Sequence, residues 1–293
     1  MGKLIFDAKY LNPLTDFGFH KLFGPETGKD LLKNFLNEII REEGLITDIQ
    51  YLASEQWGYR ESDRKAIFDI FCINEKGEYF IVEMQKAKQP YFKDRSIFYA
   101  SLPIQKQAVR GIWNFHLKAV YLVAILDFIL FDEFDDDKEQ VIESVHFVRE
   151  RTKTLYSDKL NMIFVELPKF RKTEKELGTN TDKWLFSLKN MSKLKECPAA
   201  LRGKIFEKLF ELAEIKQLTQ EDMETYRKSI LEYQDVRDAV DYAREEAFEK
   251  GREVEKITII QKCLQKNITI EDIIDLTGYS KDQIIRYTVN NIQ

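Results

Sequence analysis

Phe68-Asp69-Ile70-Phe71-Cys72-Ile73-Asn74-Glu75-Lys76-Gly77-Glu78-Tyr79-Phe80-Ile81-Val82-Glu83-Met84-Gln85 reads as two strands joined by a tight turn. The runs before Asn74 and after Glu78 are β-branched and aromatic, and the polar residues between them punctuate a hairpin. Pairing Asp69 with Glu83 steps inward through Phe71–Ile81 and Ile73–Tyr79. It leaves the loop Glu75-Lys76-Gly77, with glycine at the left-handed position. Directly opposed residues on one face have Cβ atoms roughly 4.5–5.5 Å apart. Two carboxylates that close repel unless a cation lies between them, and hard oxygen donors suit Mg²⁺ or Mn²⁺. Gln85 lies two residues beyond Glu83 and so shares its face. Both faces of the hairpin are apolar: Phe68, Ile70, Phe80 and Val82 on one, Phe71, Ile73, Tyr79 and Ile81 on the other. Such a pair belongs inside a sheet covered on both sides.

Working outward, apolar spacing predicts an amphipathic helix over 30–40. A first strand follows at 47–55 and a polar connection at 58–65. Pro90 opens a helix over 91–111 that ends at Gly111, and Pro103 should bend or break it. The continuous apolar run 119–126 reads as a buried strand, with further short strands at 141–149 and 160–166. Beyond Pro168 the pattern turns helical, with candidates at 181–191, 199–216 and 219–233 and a long charged helix at 235–265. Residues 269–293 read as helix, glycine-containing turn and helix, with Ser280-Lys281-Asp282-Gln283 as a capping box. Their net charge of −2 argues against a DNA reader and favours a packing or dimerising role, so a homodimer is a candidate assembly. Three regions result: a core at 1–167, a helical extension at 168–234, and a charged helix with the helix-turn-helix-like segment at 235–293.

The chain of 293 residues is 44% hydrophobic and 32% charged, ordinary for a globular protein, and its 21 Phe and 13 Tyr favour a well-filled core. Cys72, Cys197 and Cys263 are too far apart for a zinc or disulfide framework. The three histidines are scattered, and neither a nucleophile elbow nor a phosphate-binding glycine loop is present. No apolar run is long enough for a signal peptide or a membrane span, so the expectation is a reducing, cytoplasmic setting. Net charge is −5, but residues 86–118 carry seven bases against Asp94 alone, a net of +6 directly after the second hairpin strand. That run either tracks a phosphate backbone or forms a solvated helix face. Residues 132–143 carry seven acids against Lys138 and read as a solvated loop.

Asp69, the hairpin, and Glu83-Met84-Gln85 together resemble the core of the PD-(D/E)XK nucleases. The resemblance is closer to their recombination-promoting, transposase-associated branch, where Gln commonly replaces the motif Lys. Supporting words are Leu11-Asn12-Pro13-Leu14-Thr15-Asp16-Phe17-Gly18-Phe19, Lys21-Leu22-Phe23-Gly24, Asp63-Arg64-Lys65, Ile81-Val82-Glu83-Met84-Gln85-Lys86 and Tyr91 to Arg95. The similarity runs through most of residues 10–240.

This resemblance implies an α/β restriction-endonuclease-like core, helix-β-β-β-helix-β, with a mixed sheet flanked by helices and a mostly helical C-terminal region. It implies a Mg²⁺- or Mn²⁺-dependent DNA endonuclease of low sequence specificity, associated with recombination or transposition. Asp69, Glu83 and Gln85 would be catalytic, and Asp69, Glu83 and the Met84 backbone carbonyl would hold the metal. Glu55 is either a further ligand or a solvated strand end. Lys65, Lys86, Lys88, Lys93 and Arg95 are candidates for contact with DNA. Lys86 or Lys88 is the candidate for the positive charge that Gln85 lacks, although Lys86 points to the opposite face of an ideal strand. Asp16 and Lys21 are accessory candidates; Asp16 either approaches the site or caps the following segment. Two alternatives stay open: a nuclease-derived binding or structural protein that no longer cuts, which Gln85 keeps in view, and a regulator that contacts DNA through its C-terminal helices.

Overall fold

The computed structural model describes residues 8–25, 27–40, 46–56, 66–108, 111, 113–131 and 139–289. The predicted polar connection at 58–65, with Lys65, and most of the acidic loop lie outside the described residues.

The hairpin forms in the expected register. Strands β4 (Ile70–Asn74) and β5 (Tyr79–Gln85) pair antiparallel through Ile70↔Val82, Phe71↔Ile81, Cys72↔Phe80 and Ile73↔Tyr79. Asn74 and Glu78 close it through backbone and side-chain hydrogen bonds, and Gly77 adopts φ 79°, the left-handed conformation the turn needs. Around this pair the chain builds a six-stranded mixed sheet. The other members are β1 (Ile49–Tyr51), β6 (Val120–Leu126), β7 (Ile142–Val148) and β8 (Leu155–Glu166), in the order β1-β4-β5-β6-β8-β7. The three central strands β5, β6 and β8 run parallel; the outer pairings are antiparallel. Helix α3 (Phe92–Lys106) makes the crossover from β5 to β6.

The first predicted strand is split. Leu52 still bonds Phe71, but the chain then leaves the sheet, and Glu55–Gln56 (β2) pairs instead with Ala66–Ile67 (β3) in a separate ladder. Between Ile67 and Ile70 the strand is interrupted at Phe68-Asp69. Phe68 therefore turns away from the face of Ile70 and packs on Phe71, ring centroids 5.3 Å apart. Strict alternation fails at this position because a break in the pleat resets the facing of everything before it.

Two cores result. On one face β4–β6 bury Cys72, Phe80, Val82 and Tyr121 beneath α1 (Asp16–Phe23), α2 (Lys29–Ile39), α4 (Asn180–Asn190) and α5 (Lys204–Leu212). The other face buries Phe71, Ile81, Leu122 and Phe164 beneath Phe92, Ala100 and Leu102 of α3. Leu167, Phe170 and Trp184 lie in the first core, so the helical extension and the sheet share one interior.

Helix α3 stays continuous through Pro103 but stops at Lys106, short of Gly111. There the Gln107 amide bonds both the N–H and the C=O of Lys118 and turns the chain toward β6. The 199–216 pattern breaks at Gly203, φ 148°, a conformation open to glycine, between a single turn at Ala199–Leu201 and α5. The segments 219–233 and 235–265 form one helix, α6 (Gln220–Gln265).

The chain divides into two compact units, one ending at Val236 and one beginning at Arg237. In the second, α7 (Ile270–Thr277) and α8 (Lys281–Val289) gather Ile273 and Ile284 around Ile260 of α6. Gly278 ends α7 in the left-handed conformation, and Ser280 and Gln283 form the reciprocal cap. Among the described residues no helix is long and apolar enough to cross a membrane.

Candidate active site

At the open end of the hairpin the ladder stops at Ile70↔Val82, and Asp69 and Glu83 occupy the next position. They interact through their side chains. The Met84 N–H donates to Asp69 Oδ2 at 2.7 Å, and the Asp69 N–H donates to Glu83 Oε1 at 3.3 Å. Asp69 thus supplies the acceptor that an uninterrupted β4 would have provided, which ties its carboxylate to the β5 backbone.

Glu83 is only 5% exposed, and Asp69 is half-buried. Burial pushes the Glu83 carboxyl up to about 8, the neighbouring Asp69 adds to the rise, and the Arg95 charge opposes it. Asp69 is also raised, by burial first; the Met84 N–H, His20 and Lys86 counter this, and Asp16 adds to it. A buried and a half-buried carboxylate side by side, with the proton held above the usual range, are what like charges in a poorly solvated place produce.

The β5–α3 connection completes the surroundings. Gln85 ends β5, half-buried, and Arg95 in the first turn of α3 donates from Nη2 to Gln85 Oε1 at 2.7 Å. On the opposite face of β5, Lys86 pairs with Asp16 at 2.8 Å. The N-terminal word explains how α1 reaches this place. Thr15 caps the helix onto the Gly18 N–H and donates to the Asn12 carbonyl, while the Asn12 side chain accepts from the Leu14 N–H. A Cβ on Gly18 would collide with the Asn12 carbonyl, so only glycine permits this closure. Asp16 and His20, one turn apart on α1, are thereby carried to the flank of Asp69.

The structure brings Asp69, Glu83, Met84 and Gln85 together with Arg95, and sets the Lys86–Asp16 pair beside them. Glu55 lies exposed in β2 opposite Ile67. Lys88 is exposed in the β5–α3 connection, and Lys93 extends over the Phe131 ring, 4.8 Å from its centroid. Lys21 points elsewhere, to Asp222 of α6 at 2.8 Å. His20, one of the scattered histidines, stands one turn from Asp16 near Asp69, and the cation on Gln85 is Arg95 rather than Lys86 or Lys88.

The donor set suits a divalent ion. It offers two carboxylates, and in a strand the N–H and C=O of one residue project toward the same neighbour, which puts the Met84 carbonyl on the Asp69 side. Among the described residues no group of three or more His, Cys, Asp or Glu gathers for a metal. Two carboxylates with water and substrate oxygens are nonetheless the kind of set Mg²⁺ accepts.

Sheet, helices and site together define an α/β protein of the restriction-endonuclease-like kind. The chain belongs to the PD-(D/E)XK nuclease family transposases, whose model matches residues 13–243. That span takes in nearly all of the first unit and the start of the second. No curated protein and no solved structure matches it. Membership supports a nuclease or transposition-related role, and PD-(D/E)XK nucleases generally use divalent metals.

Proposed function

We propose that the protein is a Mg²⁺-dependent DNA endonuclease of low sequence specificity, acting in recombination or transposition. The observation that carries this reading is the placement of Asp69 and Glu83 at the end of one hairpin, bound to each other's strand and raised together by burial. A bound divalent ion would offset their repulsion, activate water and stabilise charge on the phosphate. Asp69, Glu83 and the Met84 carbonyl would hold it. Gln85 orients rather than ionises, since its amide carries no charge at neutral pH. Lys88 and Lys93, exposed on the β5–α3 side, would receive the flanking phosphates.

The test is nicking of supercoiled plasmid with and without Mg²⁺. Asp69→Ala and Glu83→Ala should each lower the rate by about a hundredfold or more, since each removes an ion ligand worth several kcal/mol in the transition state. Retention of a tenth of the wild-type rate by either variant, with the fold intact, sinks the assignment. Wild type that binds plasmid but never nicks it would favour the rival reading, a nuclease-derived binding protein.

A further inference from the structure

Helix α3 delivers a cation onto Gln85, the one side chain among the proposed catalytic residues that cannot ionise. Arg95 donates from Nη2 to Gln85 Oε1 at 2.7 Å and from Nη1 to Gln89 Oε1 at 2.5 Å. Its guanidinium lies 5.1 Å from the Phe92 ring centroid and 5.8 Å from that of Tyr99. Two hydrogen bonds and two aromatic rings fix the plane. The backbone beneath is set as well: the Arg95 N–H bonds the carbonyl of Tyr91, which caps α3 with φ 59°.

A guanidinium only donates. Its hydrogen bond therefore decides which end of the Gln85 amide faces where: the oxygen lies on Arg95 and the nitrogen turns away. Among the described residues nothing accepts from Gln85 Nε2. Without Arg95 the amide is free to rotate by half a turn and present its oxygen to substrate oxygens, a repulsive arrangement. The basic run containing Arg95 suggests an outward-reaching phosphate contact. The side chain is half-buried, and its two terminal nitrogens each donate to a glutamine side-chain oxygen.

We propose that Arg95 is a positioning residue of the phosphoryl-transfer site. It holds the Gln85 amide with its nitrogen toward the scissile phosphate, and it restores the positive charge absent when Gln stands where the motif has Lys. The proposal rests on the nuclease reading above.

The experiment compares wild type, Arg95→Gln, Gln85→Lys and the double variant. Nicking of supercoiled plasmid in Mg²⁺ is resolved into kcat and KM, and Mn²⁺ affinity of the free protein is measured by titration calorimetry. Arg95→Gln should lower kcat about tenfold or more and leave KM within about threefold, because an oriented donor acts on the transition state. It should also bind Mn²⁺ more tightly, since a nearby cation has gone. Gln85→Lys alone sets two cations together and should lose both activity and Mn²⁺ affinity. The double variant returns one cation to the site and should exceed either single variant in kcat.

A loss confined to KM, or a double variant no better than the worse single one, overturns the proposal. So does unchanged Mn²⁺ affinity in Arg95→Gln. That arm reports the guanidinium even if wild type nicks nothing, the result that would sink the nuclease reading instead. Arg95→Lys guards against a folding failure: it keeps the charge but cannot form the fork. It should fall between wild type and Arg95→Gln; full activity in Arg95→Lys would mean that any donating cation serves, and would overturn the role given to the guanidinium fork.

Discussion

Glu83 carries a consequence for stability as well as for chemistry. Its carboxyl is pushed from its ordinary 4.5 up to about 8, by burial first and then by Asp69. Between those values the folded protein holds a proton that the unfolded chain has released. The stability this group contributes is therefore complete below pH 4.5 and is lost as pH rises through about 8. In EDTA, wild type should melt at progressively lower temperature from pH 5 to pH 8.5, with a slope of at most about 1.4 kcal/mol per pH unit for one proton. Glu83→Gln keeps the shape and removes the charge. It should melt higher than wild type at pH 8 and show a flatter dependence. Thermal melts across that range check this, and a profile unchanged by the substitution would remove Glu83 as its source.

Among the elements, the hairpin and α6 carry separate liabilities. Gly77 holds φ 79° at the turn between β4 and β5. A Cβ there meets only the Lys118 side chain at 3.5 Å or more, so the cost of Gly77→Ala is conformational. It should destabilise by about 1–2 kcal/mol, the penalty of the left-handed region for an L-residue. Helix α6 secures the N-terminal word through Tyr226, whose hydroxyl accepts from the buried Asn12 N–H at 2.9 Å. Tyr226→Phe leaves that N–H without its partner and should cost about 1–3 kcal/mol. Chemical denaturation measures both. A neutral Tyr226→Phe would mean that water replaces the hydroxyl.

For the whole molecule, net charge and local charge pull in different directions. On the proposed function, a chain of net charge −5 would meet DNA where its bases are gathered, and residues 86–118 are the candidate. DNA affinity should therefore fall steeply with salt. Lys88→Ala with Lys93→Ala should make the slope of log K against log[salt] shallower by about 2, roughly one unit for each phosphate no longer neutralised. A titration series between low and physiological salt measures the slope; no change in the double variant would place the DNA on another surface.

The hairpin was legible from residues alone because strand alternation, a turn glycine and two flanking apolar runs are all local signals. The register Phe71↔Ile81 and the left-handed Gly77 follow from them. The pairing of Asp69 with Glu83 is one further step along the same register. Local pattern did not reach the break at Asp69, which sends Phe68 to the other face, nor the continuity of α6, nor the destination of each cation. Lys86, Lys21 and Arg95 look alike as bases in the sequence, yet one pairs with Asp16 of α1, one with Asp222 of α6, and one with Gln85. Long flexible side chains take the partner that tertiary packing brings within reach, and that partner is as many as 201 residues away along the chain. The sequence by itself determined the strands, the turn and the two acids at their end. Only the tertiary structure decided which charges surround them, because that depends on how the α1, α3 and α6 helices pack on the sheet.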